Sequence, residues 1–526
     1  MNGRWIFLAI LAVVILALAG WFLFRPRERA VTVPEGARAG DLLLAPCTVK
    51  IGDARYVADC GTLVVPENRA DPASRLIVLP VERIHSPAEG PAEPIFFLAG
   101  GPGQSNMTFR PPAWLLAHHD VVLVGYRGVD GTPKLDCPEA SDAMTGMGGD
   151  LLGPASLDNI SAAMAACAAR LQADGVDLRG YTIPEVVEDM EAARAALGYE
   201  RIDLLSESYG TRVAQIYATM HPESLLRSAM IGVNPPGHFL WLPEVADAQV
   251  EYYGELCRRD PACSARTPDL AAAMRSVNQS MPRRWLFLPI DPGKVRVIAF
   301  AMLFHRTTAP MIFDAYLSAA EGDPSGLALM SLAYDFTMPK MMVWGEFFAI
   351  GSSADFEPGR DYRAGLTTPE ATLGAPMSLL IWGAADGWPV TLMPEEYRQA
   401  HPTDVETLLV SGSIDFSTPA RFAEQELLPF LNRGRHVVIA EQGHTGDFWG
   451  FQRAAAERLL TSFYDTGTAD DSLYTTLPMD FKPAMRFPIL AKILLGTGVL
   501  LLAALGWAAW RFVRRIRRRR GAARGS

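Results

Sequence analysis

At 526 residues the chain exceeds what one hydrophobic core usually organises, so a large domain with an insertion, or two domains, is expected. The net charge of −10 conceals a C-terminal block, residues 511–526, holding eight arginines and no acid. The rest of the chain is distinctly acidic, which argues against nucleic acid as a partner.

Residues 1–30 read as a signal-anchor or a signal peptide. Trp5 to Phe24 is an uncharged run of about the ~20 residues that a helical crossing needs, and Arg4 precedes it. Ala17-Leu18-Ala19 has the small-x-small form of a cleavage site, but the apolar run continues to Phe24, which favours an uncleaved anchor. A polar linker near Val31–Gly40 leads into β-rich segments at Arg55–Val65, Arg75–Glu82, Ile95–Leu98 and Asp120–Val124, each bounded by Pro, Gly, Asn or Asp. A helix is predicted to open near Thr182 and Pro184. Val186, Val187, Met190, Ala193 and Leu197 form its apolar stripe, and Gly198 is its stop. Ile202–Leu205 reads as a buried strand, Thr211–Met220 as a helix and Ala229–Val233 as a further strand. Such alternation implies a mostly parallel sheet flanked by helices.

From Pro235 to about Pro402 the pattern turns helical, and strand–helix alternation resumes at Thr407–Val410, His436–Ala440 and Phe451–Phe463. The expected plan is a core in two parts, residues 31–235 and 403–470, with an inserted helical lid at 236–402. Phe487 to Trp510 is apolar apart from Lys492 and runs straight into the arginine block, so 487–510 is expected to cross a membrane, with 511–526 as its cytoplasmic tail. Residues ~30 to ~485 then face a periplasm or the cell exterior. Cys47, Cys60, Cys137, Cys167, Cys257 and Cys263 form three sequence-local pairs, which suits disulfides in an oxidising compartment. Six cysteines allow fifteen pairings, and none has C-x-x-C spacing or a nearby histidine as a metal site would require.

Three signals carry chemistry. Ser206-Glu207-Ser208-Tyr209-Gly210 lies between a strand and a helix, where a nucleophile elbow needs small residues two positions either side of its serine. Ser206 stands in for the usual first glycine; the alternative is a polar helix cap at Ser206 or Ser208. Ala99-Gly100-Gly101-Pro102-Gly103 follows a strand and lets the Gly101 backbone approach an oxyanion, with Tyr209 supplying the second donor. It lacks the lysine of a phosphate-binding loop. Third, in chain order a serine is followed by an acid and then a histidine: Asp415 lies just past a strand and His444 in the loop after the next one, while His436 sits at that strand's wrong end.

Together these residues resemble the α/β-hydrolase superfamily, and more narrowly its prolyl and tripeptidyl aminopeptidase branch, over about Cys47–Pro236 and Val405–Phe463. Gly100-Gly101-Pro102-Gly103 is similar to the branch's H-G-G-P-G loop with Ala99 for histidine. Tyr126-Arg127-Gly128-Val129-Asp130-Gly131 is similar to its R-G-x-G segment, and Asp415-Phe416-Ser417-Thr418-Pro419 to its D-x-x-T-P. The resemblance implies cysteine pairs 47–60, 137–167 and 257–263. Val343-Trp344-Gly345-Glu346 and Asp386-Gly387-Trp388-Pro389 look like lid segments that usually carry cysteines absent here. Glu346 is a candidate partner for a substrate α-amino group, a solvated lid carboxylate being the plainer reading, with Asp355 and Asp386 as substitutes. Glu207 either recognises a C-terminal carboxylate, as in serine carboxypeptidases, or supports the elbow.

The expected activity is acyl transfer to water with Ser208, His444 and Asp415, without metal or organic cofactor. An exopeptidase trimming short peptides from their N-termini leads. A membrane-tethered esterase or lipase is the alternative, and a non-catalytic binding ectodomain the remote one.

Overall fold

The computed structural model describes residues 32–146 and 149–522, so the apolar run at Trp5–Phe24 lies outside the described residues. Among them, nine strands form one sheet: β1 (Leu42–Ile51), β2 (Ala54–Pro66), β3 (Leu76–Ile84), β4 (Ala92–Leu98), β5 (His119–Val124), β6 (Ile202–Glu207), β7 (Leu225–Ile231), β10 (Glu406–Gly412) and β11 (Gly434–Ile439). A separate hairpin consists of β8 (Arg284–Trp285) and β9 (Leu288–Pro289). The order across the sheet is β1-β2-β3-β5-β4-β6-β7-β10-β11. From β5 to β11 all neighbours are parallel; β1, β2 and β3 complete the edge in antiparallel pairing.

The central strands are covered on both faces. Every residue of β5 is buried, as are Pro94 to Leu98 of β4, which is why Val121–Val124 and Ile95–Leu98 read as unbroken apolar runs. β1, which no sequence pattern marked, is half exposed at the sheet's edge. Two long helices pack on the sheet, α2 (Ile183–Leu197) and α3 (Tyr209–Met220), while a third, α1 (Pro154–Ala173), packs against neighbouring helices. α2 begins at Thr182 with Pro184 in its first turn. It stops at Gly198, whose left-handed φ of +79° lets its N–H reach the carbonyls of Arg194 and Ala195.

A buried ion pair locks α2 to the sheet. Arg127, fully buried after β5, donates from Nε and Nη2 to both oxygens of Asp189, each at 2.7 Å, and from Nη1 to the carbonyls of Glu67 and Gly180. Arg127→Ala removes the donor to two buried carbonyls and leaves the buried Asp189 with Arg69 as its remaining cation, at 2.7 Å. Unfolding free energy in urea, measured on the full chain in detergent, is expected to fall by about 3–5 kcal/mol. An unchanged urea midpoint would refute this reading of the pair.

Between the adjacent strands β7 and β10 the chain makes a long helical excursion. It includes α4 (Pro243–Arg259), α5 (Ala309–Ala320), α6 (Ser325–Thr337) and α7 (Trp344–Asp355). After β11 come α8 (Thr445–Gly450), α9 (Arg453–Thr466) and α10 (Phe487–Ala522). The cysteines pair as 47–60, 137–167 and 257–263.

Within α10, Phe487–Arg514 is long and apolar enough to cross a membrane, and almost none of its apolar window is buried in the protein. Its first turns are tied to the helical excursion. Arg486 pairs with Asp314 at 3.0 Å, Lys492 with Asp323 at 2.6 Å, and the Ser325 hydroxyl donates to the Pro488 carbonyl at 3.3 Å. The helix continues unbroken into the arginine block, to Ala522.

Candidate active site

Ser208 occupies the turn between β6 and α3 with φ +49° and ψ −118°, a backbone conformation rare outside glycine. Two features hold it there. Its N–H donates to the Ile231 carbonyl at 2.9 Å, and its own carbonyl accepts from the Thr211 N–H and hydroxyl at 2.9 and 2.7 Å. Gly210 is required by space, since a Cβ there would run into the Leu98 carbonyl. Ser206 is buried, with its hydroxyl spent on the Ala229 carbonyl at 3.1 Å, and the Ser413 hydroxyl accepts from the Glu441 N–H at 2.8 Å. Neither serine is presented as Ser208 is.

The loop Ala99–Gly103 lies over this turn. A Cβ on Gly100 would stand 3.1 Å from Ser208 Cβ, so the backbone N–H groups of Gly101 and Tyr209 are each one residue from that contact. The buried side chain of Asn106 pins the loop. Its oxygen accepts from the Ala99 N–H at 2.7 Å and its amide donates to the Phe97 and Val124 carbonyls at 2.9 and 2.8 Å. Sequence alone gave Asn106 no role, because nothing local distinguishes a buried amide from an ordinary loop residue.

His444 Nδ1 lies 2.8 Å from Asp415 Oδ2, with the carboxylate fully buried and the imidazole nearly so. Asp415 also accepts from the Ser417 and Thr418 N–H groups at 2.9 and 2.8 Å and from the Thr418 hydroxyl at 2.9 Å. Burial alone would lower the His444 pKa, but the adjoining carboxylate overrides it and lifts the imidazole above its ordinary value. The His444 N–H donates to the Phe304 carbonyl at 2.7 Å, and Asp447 accepts from the Gly443 and Arg306 N–H groups, fixing the loop. Gly232 follows the Ile231 that holds Ser208, and a Cβ there would lie 2.8 Å from His444 Cε1. This glycine leaves room for the imidazole beside the strand end that holds Ser208.

Glu207 accepts from the indole N–H of Trp449, on the helix that follows His444. Burial raises its pKa, with the Trp449 bond opposing. Glu346 corrects the expectation of a solvated carboxylate. It is fully buried in the first turn of α7, and among the described residues no side chain or cation pairs with its carboxylate, the Gly103 backbone amide being the polar group that faces it. The cause is tertiary: the Val343 N–H donates to the Gly103 carbonyl at 2.9 Å and Gly345 N–H to Leu135 at 3.1 Å, drawing the helix onto the Gly100–Gly103 loop. Desolvation pushes the Glu346 pKa up to about 8, with the Gly103 amide pulling the other way. Asp355 is instead committed to the N–H groups of Gly237 and Phe239, at 3.1 and 2.9 Å, and Asp386 is exposed. Beside the loop, Pro102, Phe239, Phe347, Phe348, Ile381 and Trp382 line an apolar recess.

Residues 93–284 match the family model of the alpha/beta hydrolase fold, and residues 379–474 that of TAP-like protein. Tripeptidyl aminopeptidases of Streptomyces lividans and Streptomyces coelicolor are each 26% identical over 245 residues, or 43% of this chain. The match spans less than half the length of these relatives, 45% and 44%. Among solved structures, a proline iminopeptidase from Mycobacterium smegmatis aligns over 80% of this chain and 98% of its own (15% identity, TM-score 0.35). A serine hydrolase from Cycloclasticus zankles aligns over 78% and 100% (13% identity, TM-score 0.35). The nucleophile-elbow geometry and the two family matches agree: the chain has the α/β-hydrolase fold and carries a segment, residues 379–474, that matches the TAP-like family.

Proposed function

We propose that the protein is a serine exopeptidase that releases short peptides from the N-termini of its substrates. Ser208 attacks the scissile carbonyl, His444 takes its proton and passes it to the leaving amine, and Asp415 holds the imidazole's tautomer. Water repeats the sequence on the acyl-enzyme. The backbone N–H groups of Gly101 and Tyr209 stabilise the oxyanion, by analogy at roughly 3–4 kcal/mol per donor. Residues 236–402 act as a lid that parts to admit substrate. Glu207 steadies the elbow through Trp449.

The observation that carries the peptidase reading is Glu346. A buried carboxylate without a cationic partner is costly, and here it stands at the far end of the loop whose near end covers Ser208. A protonated substrate amine is the partner it lacks. Wild-type kcat/KM is therefore expected to favour peptide amides with a free N-terminus over N-acetylated ones, and Glu346→Gln to remove that preference while sparing a neutral ester. Truncating one partner of a desolvated charge pair costs about 2–5 kcal/mol, or roughly 30- to 5,000-fold. Equal wild-type rates on free and acetylated substrates would discard this reading and leave the esterase in the lead.

The pH dependence has a definite sign. Glu346 must lose its proton to pair with a cation, so kcat/KM should rise as pH approaches about 8, then fall as the substrate amine, of ordinary pKa ~8, loses its own charge. Because the folded state holds the Glu346 proton more tightly than the unfolded one does, the same group withdraws stability as pH rises from 4.5 to about 8.

The catalytic domain is proposed to face outward, anchored by α10 with the arginine tail inside. The apolar helix and the three disulfides support this. A membrane-impermeant maleimide on intact cells is expected to label the protein only after reduction. Labelling of several thiols without reduction, seen only after lysis, would argue for a cytoplasmic domain.

A further inference from the structure

The β8–β9 hairpin turns through Leu286 and Phe287, where a two-residue turn normally carries glycine or asparagine. Leu286 takes φ +54°, and the two side chains are 62% and 72% exposed. A strained turn that displays two large apolar side chains gains nothing inside the molecule. Arg283 and Arg284, both exposed, come immediately before, and half-buried Trp285 lies between them and the tip. The order of basic, tryptophan and then aliphatic and aromatic residues suits a segment passing from lipid headgroups into acyl chains.

The hairpin's position makes this specific. Trp285 and Phe287, with Leu329 and Leu332 of α6 and Leu495 and Val499 of α10, line a cavity of about 290 Å³ whose lining side chains are all apolar. One wall is thus the helix read above as the membrane span. Phe336, 73% exposed, stands four residues beyond Leu332 and continues the same face of α6. The Lys492–Asp323 pair marks the polar boundary of the span. At about 1.5 Å per residue, Leu495 and Val499 lie roughly 5 and 10 Å past it, inside the outer half of a ~30 Å hydrocarbon layer.

We propose that the Arg283–Pro289 hairpin is a membrane-inserted tip, and that the cavity between it, α6 and α10 binds an acyl chain of a bilayer lipid. The proposal rests on α10 being a membrane span, and the test separates the two. All six cysteines are disulfide-bonded, so single nitroxides can be attached through Phe287→Cys, Val499→Cys and, as a water-exposed control on β2, Val57→Cys. In full-length protein in phosphatidylcholine–phosphatidylglycerol nanodiscs, oxygen should outcompete a nickel chelate as relaxant at positions 287 and 499 but not at 57. Position 499 in lipid with 287 in water overturns the inserted tip alone; 499 in water overturns the span and the tip together. With chain-labelled phosphatidylcholine, an immobilised spectral component is expected that Val499→Trp reduces at least twofold. No such component, or one that Val499→Trp leaves unchanged, overturns the acyl-chain site.

Discussion

Replacing Ser208 with alanine is expected to reduce turnover of amides and esters alike by about 10⁶-fold, to the residual rate that oxyanion donors and binding alone sustain. The fold should survive. The turn is held by backbone bonds to Ile231 and Thr211 and by the Gly210–Leu98 approach, none of which uses the Ser208 hydroxyl. In the proposed mechanism serine and histidine act as a unit, so Ser208→Ala with His444→Ala should be scarcely worse than either alone. Multiplying single-variant losses would instead mean that the two residues serve separate steps.

Asp415→Asn should lower kcat about 10⁴-fold, by the general behaviour of such triads. An asparagine can still accept from the Ser417 and Thr418 N–H groups, so local structure is preserved. What changes is the group facing His444 Nδ1. A carboxylate keeps the proton on Nδ1 and leaves Nε2 free to act as base. An amide N–H there favours the opposite tautomer, with Nε2 already protonated and unable to accept from Ser208. The Thr418 hydroxyl, 3.3 Å from Nδ1, is the nearest substitute acceptor. Steady-state kcat on an activated ester and on a peptide amide, with thermal unfolding as the control, checks this. A loss under tenfold with an intact fold would remove Asp415 from the mechanism.

Much of this site is legible before folding because its constraints are local. The elbow needs a strand, small residues and a helix in direct succession, and Ile202–Met220 writes all of them in one stretch. α2 announces both of its ends through Pro184 and Gly198. β1 was not legible: Leu42-Leu43-Leu44-Ala45-Pro46 carries no clean alternation, and it becomes a strand only because β2 offers an edge in register. α1 does carry Leu157, Ile160, Met164 and Leu171 at helical spacing, but alanines on both faces dilute the stripe. Glu346 illustrates the deeper limit. Nothing in Val343–Glu346 specifies burial, which arises when Gly103, distant in sequence, accepts the Val343 N–H and seals the first turn of α7. Gly232 and Asn106 were hidden for the same reason, their roles being set by what packs against them.

The central claim is that Ser208 is the nucleophile of a hydrolase, and a fluorophosphonate tests it most directly. Purified full-length protein is treated with the probe, digested, and the adduct located by mass spectrometry. The expected result is one phosphonylated residue, Ser208, with no adduct in Ser208→Ala. Labelling that persists in that variant, mapped to Ser206 or Ser413, would contradict the assignment and the mechanism built on it.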